Sequence, residues 1–140
     1  MSEERTEMIN ALKEIFIPVI REKDFKGTFP HFRRTKSGRT NLLTFQFDKY
    51  GGGFVIELAN WHEPDFKTSW GKEIPLNKLT AHDLNERLRI YPDSIKEDKG
   101  TDSWFRYDKA HMTDNGNKYE QLAKKVIERL PLMEQYWDKE

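Results

Sequence analysis

Four histidines have the most versatile chemistry in this sequence, because an imidazole can bind a metal or transfer a proton near neutral pH. Their positions are His31, His62, His82 and His111. The pairs His62-Glu63 and His82-Asp83 each place a carboxylate next to an imidazole. Neither pair has the i, i+4 spacing of a helical zinc motif, and adjacent residues of a strand point to opposite faces. We therefore expect surface or packing histidines, and we predict no metal site and no cofactor.

Nucleophilic and phosphate-binding motifs are not indicated either. Ser69 precedes Trp70-Gly71 but lacks the Gly-x-Ser-x-Gly elbow of a hydrolase. The run Gly51–Gly53 is followed by neither the Lys-Ser/Thr of a P-loop nor a helix, and it predicts a hairpin turn. Glu57 is the best general-base candidate, although a cross-strand polar ladder is the simpler interpretation of the same residue. No reaction follows from these patterns, and a non-enzymatic role is favoured.

The overall composition limits the classes of partner. The chain has 140 residues with 24 basic and 24 acidic side chains, so it has no net charge to attract nucleic acid or an anionic membrane. It has no cysteine, which excludes disulfides and thiolate chemistry. Its longest apolar-leaning run, residues 15–20, is far shorter than the ~20 residues of a membrane helix. We expect one cytoplasmic domain over residues 1–140, with no membrane contact and with nucleic acid disfavoured as a partner.

Two helices are predicted at the ends of the chain. Apolar residues recur at intervals of three and four between Ser2 and Lys23, which is the pattern of one helical face. Pro18 lies within this pattern and predicts a kink, since the apolar stripe continues beyond it. A final helix can be capped by Asp114 or Asn117, and Pro131 is expected to kink or split it.

Strands are predicted between the helices, where β-branched and aromatic residues are bounded by turn residues. The three longer strands span Thr28–Thr35, Thr40–Asp48 and Gly53–Trp61. The shorter candidates are Leu79–Leu84, Arg87–Tyr91 and Trp104–Asp108. Residues 62–78 contain two prolines and are expected to form a long loop, of the kind that is often functional.

The apolar pattern selects the register of the central strands. An even loop between the second and third strands pairs only apolar residues with each other, whereas an odd loop mixes the two faces. The predicted pairs are Phe47 with Phe54, Phe45 with Ile56, and Leu43 with Leu58. The same reasoning at Ser37-Gly38 pairs Phe32 with Leu43 on the core face. On the other face it predicts a row formed by His31, Thr44 and Glu57.

These elements predict an α+β fold with a single antiparallel sheet of about five to six strands. The N-terminal and C-terminal helices are expected to pack on one face of the sheet, which leaves the other face uncovered. Arginine and tryptophan are enriched on that second face, and both residue types dominate binding hot spots. The residues predicted to bind there are His31, Arg33, Gln46, Glu57, Trp61, Trp70, Arg89 and Arg106.

Several local segments resemble a known family. They are the arginine-ended strand His31–Arg34, TFQFDKYGGGFVIELA (44–59), SWGKEIP (69–75), Arg87–Arg89 and WFRYD (104–108). In order and composition they are similar to the bacterial domain-of-unknown-function family DUF4304. The resemblance covers most of the chain and implies a bacterial protein of the helix-sheet-helix kind. It implies no activity and no functional residues.

The first functional hypothesis is a non-enzymatic module whose uncovered sheet face binds another protein. Some small bacterial domains of this general kind are immunity proteins that bind toxins, which gives an analogy and no more. The alternative is a small anionic ligand-binding or enzymatic domain, with a pocket between the sheet and the 62–78 loop. A weak nucleic-acid binder is a third hypothesis, against which the absence of net charge counts.

Overall fold

The N-terminal helix is interrupted by a π-helical turn just before its proline, Pro18, and continues after it. The computed structural model describes residues 3–49, 51–92, 104–108 and 118–139. Helix α1 (Glu3–Ala11) is followed by a π turn (Leu12–Phe16) and by α2 (Ile17–Glu22). The N–H of Ile17 bonds to the carbonyl of Leu12, five residues back. Pro18 lies in the first turn of α2, where a missing N–H is tolerated, so the apolar stripe continues as predicted.

Eight strands lie between the helices. They are β1 (Lys26–Thr28), β2 (His31–Lys36), β3 (Arg39–Phe47), β4 (Gly53–Trp61), β5 (Phe66–Lys67), β6 (Glu73–Ile74), β7 (Leu88–Ile90) and β8 (Phe105–Arg106). Six of them form one antiparallel sheet in the order β1-β2-β3-β4-β7, with β8 paired to the first residues of β4. A separate hairpin is formed by β5 and β6. The predicted fold class is confirmed.

The predicted register is also confirmed. Phe47 pairs with Phe54, and the other two predicted pairs of β3 and β4 follow from the same alignment. Phe32 pairs with Leu43, and His31 pairs with Thr44. The alternation of apolar and polar residues was therefore sufficient to align three strands.

Two predictions of strand extent were wrong. The strand predicted over Thr28–Thr35 is divided into β1 and β2 by a turn at Phe29-Pro30, which contains a cis peptide bond. The strand predicted over Leu79–Leu84 contains a 3₁₀ turn, Ala81–Asp83. Thr80 and Asp83 form a capping box on this turn, and this local side-chain bonding competes with an extended chain.

The terminal helices cover one face of the sheet. The final helix is split, as predicted: helix α3 (Lys118–Glu128) and helix α4 (Leu130–Trp137) are separated at Arg129, and Pro131 lies in the first turn of α4. The predicted caps Asp114 and Asn117 lie outside the described residues. The helices and the sheet share one apolar core. The indole N–H of Trp137 donates to the carbonyl of Leu42 on β3. None of the helices within the described residues is long and apolar enough to cross a membrane.

The expectation that the second sheet face is uncovered was wrong. The chain between β4 and β7 folds back over this face, where Leu42 and Ala59 pack against Leu79, Ala81 and Leu84. Val55, Tyr91 and Trp104 form a second apolar cluster on β4 and its neighbours. The second face was expected to be exposed because it carries a row of polar residues. Apolar side chains in residues 66–84 bury the centre of this face instead.

Candidate functional site

A row of polar residues crosses four strands of the sheet. His31 on β2 pairs with Thr44 on β3, and Thr44 pairs with Glu57 on β4. Glu57 in turn pairs with Arg89 on β7, which extends the predicted row by one strand. Residues directly opposite each other in an antiparallel sheet have Cβ atoms about 5 Å apart, so their side chains interact. The sequence prediction of this row is confirmed.

Glu57 is the most deeply buried charged residue of the described chain, at 1% exposure. Its Oε2 accepts a hydrogen bond of 2.9 Å from Nε of Arg89. Its Oε1 lies 2.8 Å from Nε2 of His82 and 3.8 Å from Nη1 of Arg87. The approach of His82 is close but lacks the alignment of a hydrogen bond, so Oε1 has no hydrogen-bond partner among the described residues. We call Glu57, His82, Arg87 and Arg89 the Glu57 cluster.

Arg89 also contacts two aromatic residues next to the Glu57 cluster, Trp104 and Tyr91. Its guanidinium lies 5.7 Å from the ring centroid of Trp104, within the range of a cation–π contact. Burial alone would lower the pKa of Arg89, but hydrogen bonds to Glu57 and Tyr91 and the charge of Glu57 together raise it above its ordinary value. Arg89 therefore stays charged and compensates the buried carboxylate, which is the arrangement that a buried charge requires.

The 3₁₀ turn over the sheet is fixed by polar contacts. Thr44 Oγ1 accepts the backbone N–H of Ala81 at 3.3 Å and also contacts Nδ1 of His31 at 3.0 Å. Nε of Arg33 donates to the carbonyl of Leu79 at 3.0 Å. The imidazoles of His31 and His82 meet edge to face, with ring centroids 5.8 Å apart. Residues 79–83 thus pack on the predicted row and are bonded to it.

The surroundings of His31 favour its neutral form. Burial lowers the pKa of its imidazole, and the charges of His82 and Arg33 lower it further, against the smaller effect of Asp83. A neutral imidazole can donate and accept a proton, but the contact with Thr44 occupies its Nδ1. That contact leaves Nε2 as the nitrogen through which His31 can bind a ligand.

A cleft of about 1020 Å³ lies where residues 76–80 face β1 and β2. Five of its lining residues are Lys or Arg, and Asp24 is the acidic one. The cations come from β1, from β2 and from the turn after β6: Lys26, Arg33, Arg34, Lys36 and Lys78. His31 also lines it. We call this the basic cleft.

The cations of the basic cleft differ in their internal partners. Arg34 forms an ion pair of 2.7 Å with Glu134 and stacks on Phe25 and Trp137, so it ties β2 to α4. The other four make no ion pair with a carboxylate of the described residues: Lys26, Arg33, Lys36 and Lys78. Burial lowers the pKa of Arg33, whereas the charge of Asp83 raises it. Arg33 is therefore a partly desolvated cation without a bonded carboxylate.

The remaining predicted site residues lie away from the basic cleft. Trp61 packs edge to face on Phe66 and donates its indole N–H to the carbonyl of Asp65. Trp70 is 78% exposed between β5 and β6. Gln46 lines a different depression next to α1. The eight residues therefore do not form one surface.

Arg106 lies on β8, which pairs with the first residues of β4, and it forms ion pairs there. Its guanidinium pairs with Asp48 at 3.5 Å and with Asp108 at 2.6 Å. A Cβ at Gly52 would lie 2.6 Å from Cβ of Asp108, and a Cβ at Gly53 would lie 2.9 Å from Cδ of Arg106. The glycine run at the hairpin therefore admits a close approach of β8, and this packing accounts for its composition.

The sequence interpretation missed His82 as the second contact of Glu57, and it missed the lysines of the basic cleft. His82-Asp83 was noted as a pair, but its position over Glu57 depends on the return of the chain across the sheet. Within the described residues, no group of three or more His, Cys, Asp or Glu side chains is arranged to hold a metal ion.

Comparison with known proteins gives a family and no relative of known function. Residues 16–131 match the family described as Domain of unknown function (DUF4304). The match covers most of the chain, and the chain belongs to this family. No curated protein and no solved structure matches it.

Proposed function

We propose that this member of the DUF4304 family is a non-enzymatic binding module that receives an acidic segment of another protein in the basic cleft. The observation that supports the proposal is the set of four cations that line one cleft without a carboxylate partner among the described residues. Acidic side chains of a partner would form ion pairs with these cations.

Electrostatic focusing favours this cleft over the rest of the surface. The chain as a whole has no net charge, so four cations without an ion pair to any described carboxylate, beside a single Asp24, concentrate positive potential in one place. A cleft lined by one sign of charge raises the local concentration of the opposite ion and accelerates its association. Because Arg33 is already partly desolvated, its contact with a carboxylate requires little further loss of hydration.

The spacing of the cations favours an extended ligand over a single small anion. Arg33 and Lys36 are three residues apart on β2, roughly 10 Å along the strand, and their side chains leave it toward opposite faces at the edge of the sheet. Lys78 reaches the cleft from the opposite wall. One phosphate or carboxylate cannot contact all of these groups, whereas successive acidic side chains of a protein segment can.

Binding of a fluorescent octaglutamate peptide, followed by anisotropy, tests the proposal. Arg33→Ala and Lys78→Ala should each weaken binding about five- to tenfold, and the affinity should fall steeply with salt. Lys124→Ala, which changes an exposed lysine on α3 outside the cleft, is the matched control and should have no effect.

Two results would contradict the proposal. One is octaglutamate affinity that survives both cleft substitutions. The other is a single-stranded oligonucleotide that binds more tightly than octaglutamate and loses affinity on the same substitutions, which would assign the cleft to nucleic acid.

A small anionic metabolite is the second candidate ligand, because the cleft places the neutral imidazole of His31 near the guanidinium of Arg33. Arg33 would bind the anion, and His31 would hydrogen-bond to it. Thermal-shift measurements with citrate and inorganic phosphate test this candidate. A rise in Tm that Arg33→Ala abolishes, without octaglutamate binding, would favour the metabolite over the protein segment.

A further inference from the structure

A second depression of about 660 Å³ lies between α1, the Phe29-Pro30 turn and the end of β3. We call it the apolar groove. Its walls are formed by Ile9, Phe29, Pro30, Phe45 and Phe47, together with Gln46. The rings of Phe29 and Phe45 are stacked with centroids 5.0 Å apart, and Phe47 lies 6.2 Å from Phe29. The groove therefore has an aromatic floor of fixed shape.

The rim of the apolar groove is positively charged. Lys13 lies over the ring of Phe29 at 5.8 Å, and the guanidinium of Arg5 lies over Phe47 at 5.6 Å. His82 contributes an imidazole from the other side of the sheet. None of the described lining residues is acidic. An apolar group that enters the groove would therefore fit best when it is flanked by negative charge.

The apolar groove adjoins the basic cleft. Thr28 lines the cleft and the next residue, Phe29, lines the groove. His31 lines the cleft and His82 lines the groove, and their rings are in contact. A chain that leaves the cleft past the β1-β2 turn would therefore reach the groove directly.

No described strand covers the outer edge of β3 beside the groove. Strand β2 begins at His31, which pairs with Thr44, and the N–H of Phe45 bonds to the carbonyl of Pro30. Beyond that point β4 is the one described strand that pairs with Gln46 and Phe47. An extended partner segment can therefore also form main-chain hydrogen bonds here, as peptides do at open sheet edges.

We infer that the apolar groove receives a large apolar side chain from the same acidic segment that the basic cleft binds. The inference rests on the proposed function and specifies the partner: an acidic segment that carries a leucine or an aromatic residue next to its acidic run. The cleft supplies the charge recognition, and the groove supplies the apolar anchor that interfaces concentrate at a few positions.

Octaglutamate and the same peptide with one leucine added at either end test the inference. Full burial of a leucine side chain strengthens binding by at least tenfold, so we expect about a tenfold gain for one of the two leucine peptides. Ile9→Ala and Phe29→Ala change opposite walls of the groove. Each should remove the gain from leucine and leave the affinity for octaglutamate within twofold.

The controls separate the inference from the proposed function. Arg33→Ala should weaken all three peptides equally, because it lies in the cleft. Since Phe29 packs against Phe45 and its loss can reduce folding, Ile9→Ala provides the independent test, with circular dichroism to confirm the fold. A leucine that adds nothing at either end, or a gain that survives both groove substitutions, would overturn the inference and leave the proposed function standing. Absence of octaglutamate binding would contradict both.

Discussion

The Glu57 cluster and the basic cleft contain the same residue types on neighbouring strands, but they differ in whether the cations pair with a carboxylate. In the cluster, His82, Arg87 and Arg89 converge on one buried carboxylate. In the cleft, cations line a depression in which no described carboxylate pairs with four of them. The difference indicates that the cluster stabilises the fold, whereas the cleft keeps cations that no described carboxylate neutralises. Arginine content alone does not separate these two roles.

The largest effect is expected in the Glu57 cluster. Glu57→Gln removes the buried negative charge and leaves the half-buried Arg89 beside Trp104 without its counter-ion. Loss of a hydrogen bond to a charged group costs about 1.5–3 kcal/mol of stability. Urea unfolding should show this loss, while Glu128→Gln on the exposed face of α3 changes stability by less than about 0.5 kcal/mol. A loss below about 1 kcal/mol would show that Glu57 is not the anchor of the cluster.

Substitution of Thr44, which lies between His31 and Glu57 in the row, should have the next largest effect on stability. Thr44→Val keeps the shape of a fully buried side chain but removes the acceptor of the Ala81 N–H and the partner of His31. An unsatisfied buried N–H costs about 1–3 kcal/mol. The Ala81 amide should also exchange its hydrogen faster than in the parent protein. Unchanged exchange at Ala81 would mean that residues 79–83 are held by apolar packing alone.

A smaller, pH-dependent effect is expected at His31. The folded protein lowers its pKa below the ordinary value of 6.5, so the unfolded chain binds the proton more readily. Stability should therefore fall as pH decreases through 6.5 and level off below the pKa of the folded state. The parent protein and His31→Gln, compared by urea unfolding at several pH values, should differ in slope across this window. Parallel curves would contradict the assignment.

The same protonation should act on the cleft in the opposite direction. A charged His31 adds to the positive potential of the cleft, so octaglutamate should bind more tightly once pH falls below the lowered pKa of His31, for as long as its own carboxylates remain largely ionised. His31→Gln should abolish this gain in affinity while binding at neutral pH stays nearly unchanged.

The smallest effect is expected at Trp70. This side chain is 78% exposed and lies outside both regions. Trp70→Ala should change stability by less than about 0.5 kcal/mol and should leave octaglutamate binding unchanged. Loss of binding would restore the hypothesis of a broad sheet-face interface that includes Trp70.

The sequence contained enough information to predict the row but not its surroundings. Alternating apolar residues such as Phe45 and Phe47, with an even hairpin loop, allow one register that buries them all, so His31, Thr44 and Glu57 were placed opposite one another correctly. Residues 79–84 were predicted as a short strand, whereas they contain a 3₁₀ turn. The Thr80-Asp83 capping box was the local signal of a turn.

The basic cleft could not be predicted, because it depends on a contact between distant parts of the chain. Lys26 and Lys36 are ordinary exposed lysines near a hairpin, and Lys78 follows them by more than forty residues. They share a cleft because residues 76–80 return across the sheet beside β2. Apolar burial of Leu79 and Ala81 on Leu42 drives that return, and no charge pattern in the sequence reports it.

Mapping of the octaglutamate site by amide chemical shifts in ¹⁵N-labelled protein tests the central claim most directly. The account predicts that the largest shift changes fall in residues 26–36 and 76–80, which line the basic cleft, and that Glu57 and Arg89 shift little. Shift changes centred on residues 82–90, or none at a peptide concentration well above that of the protein, would contradict it.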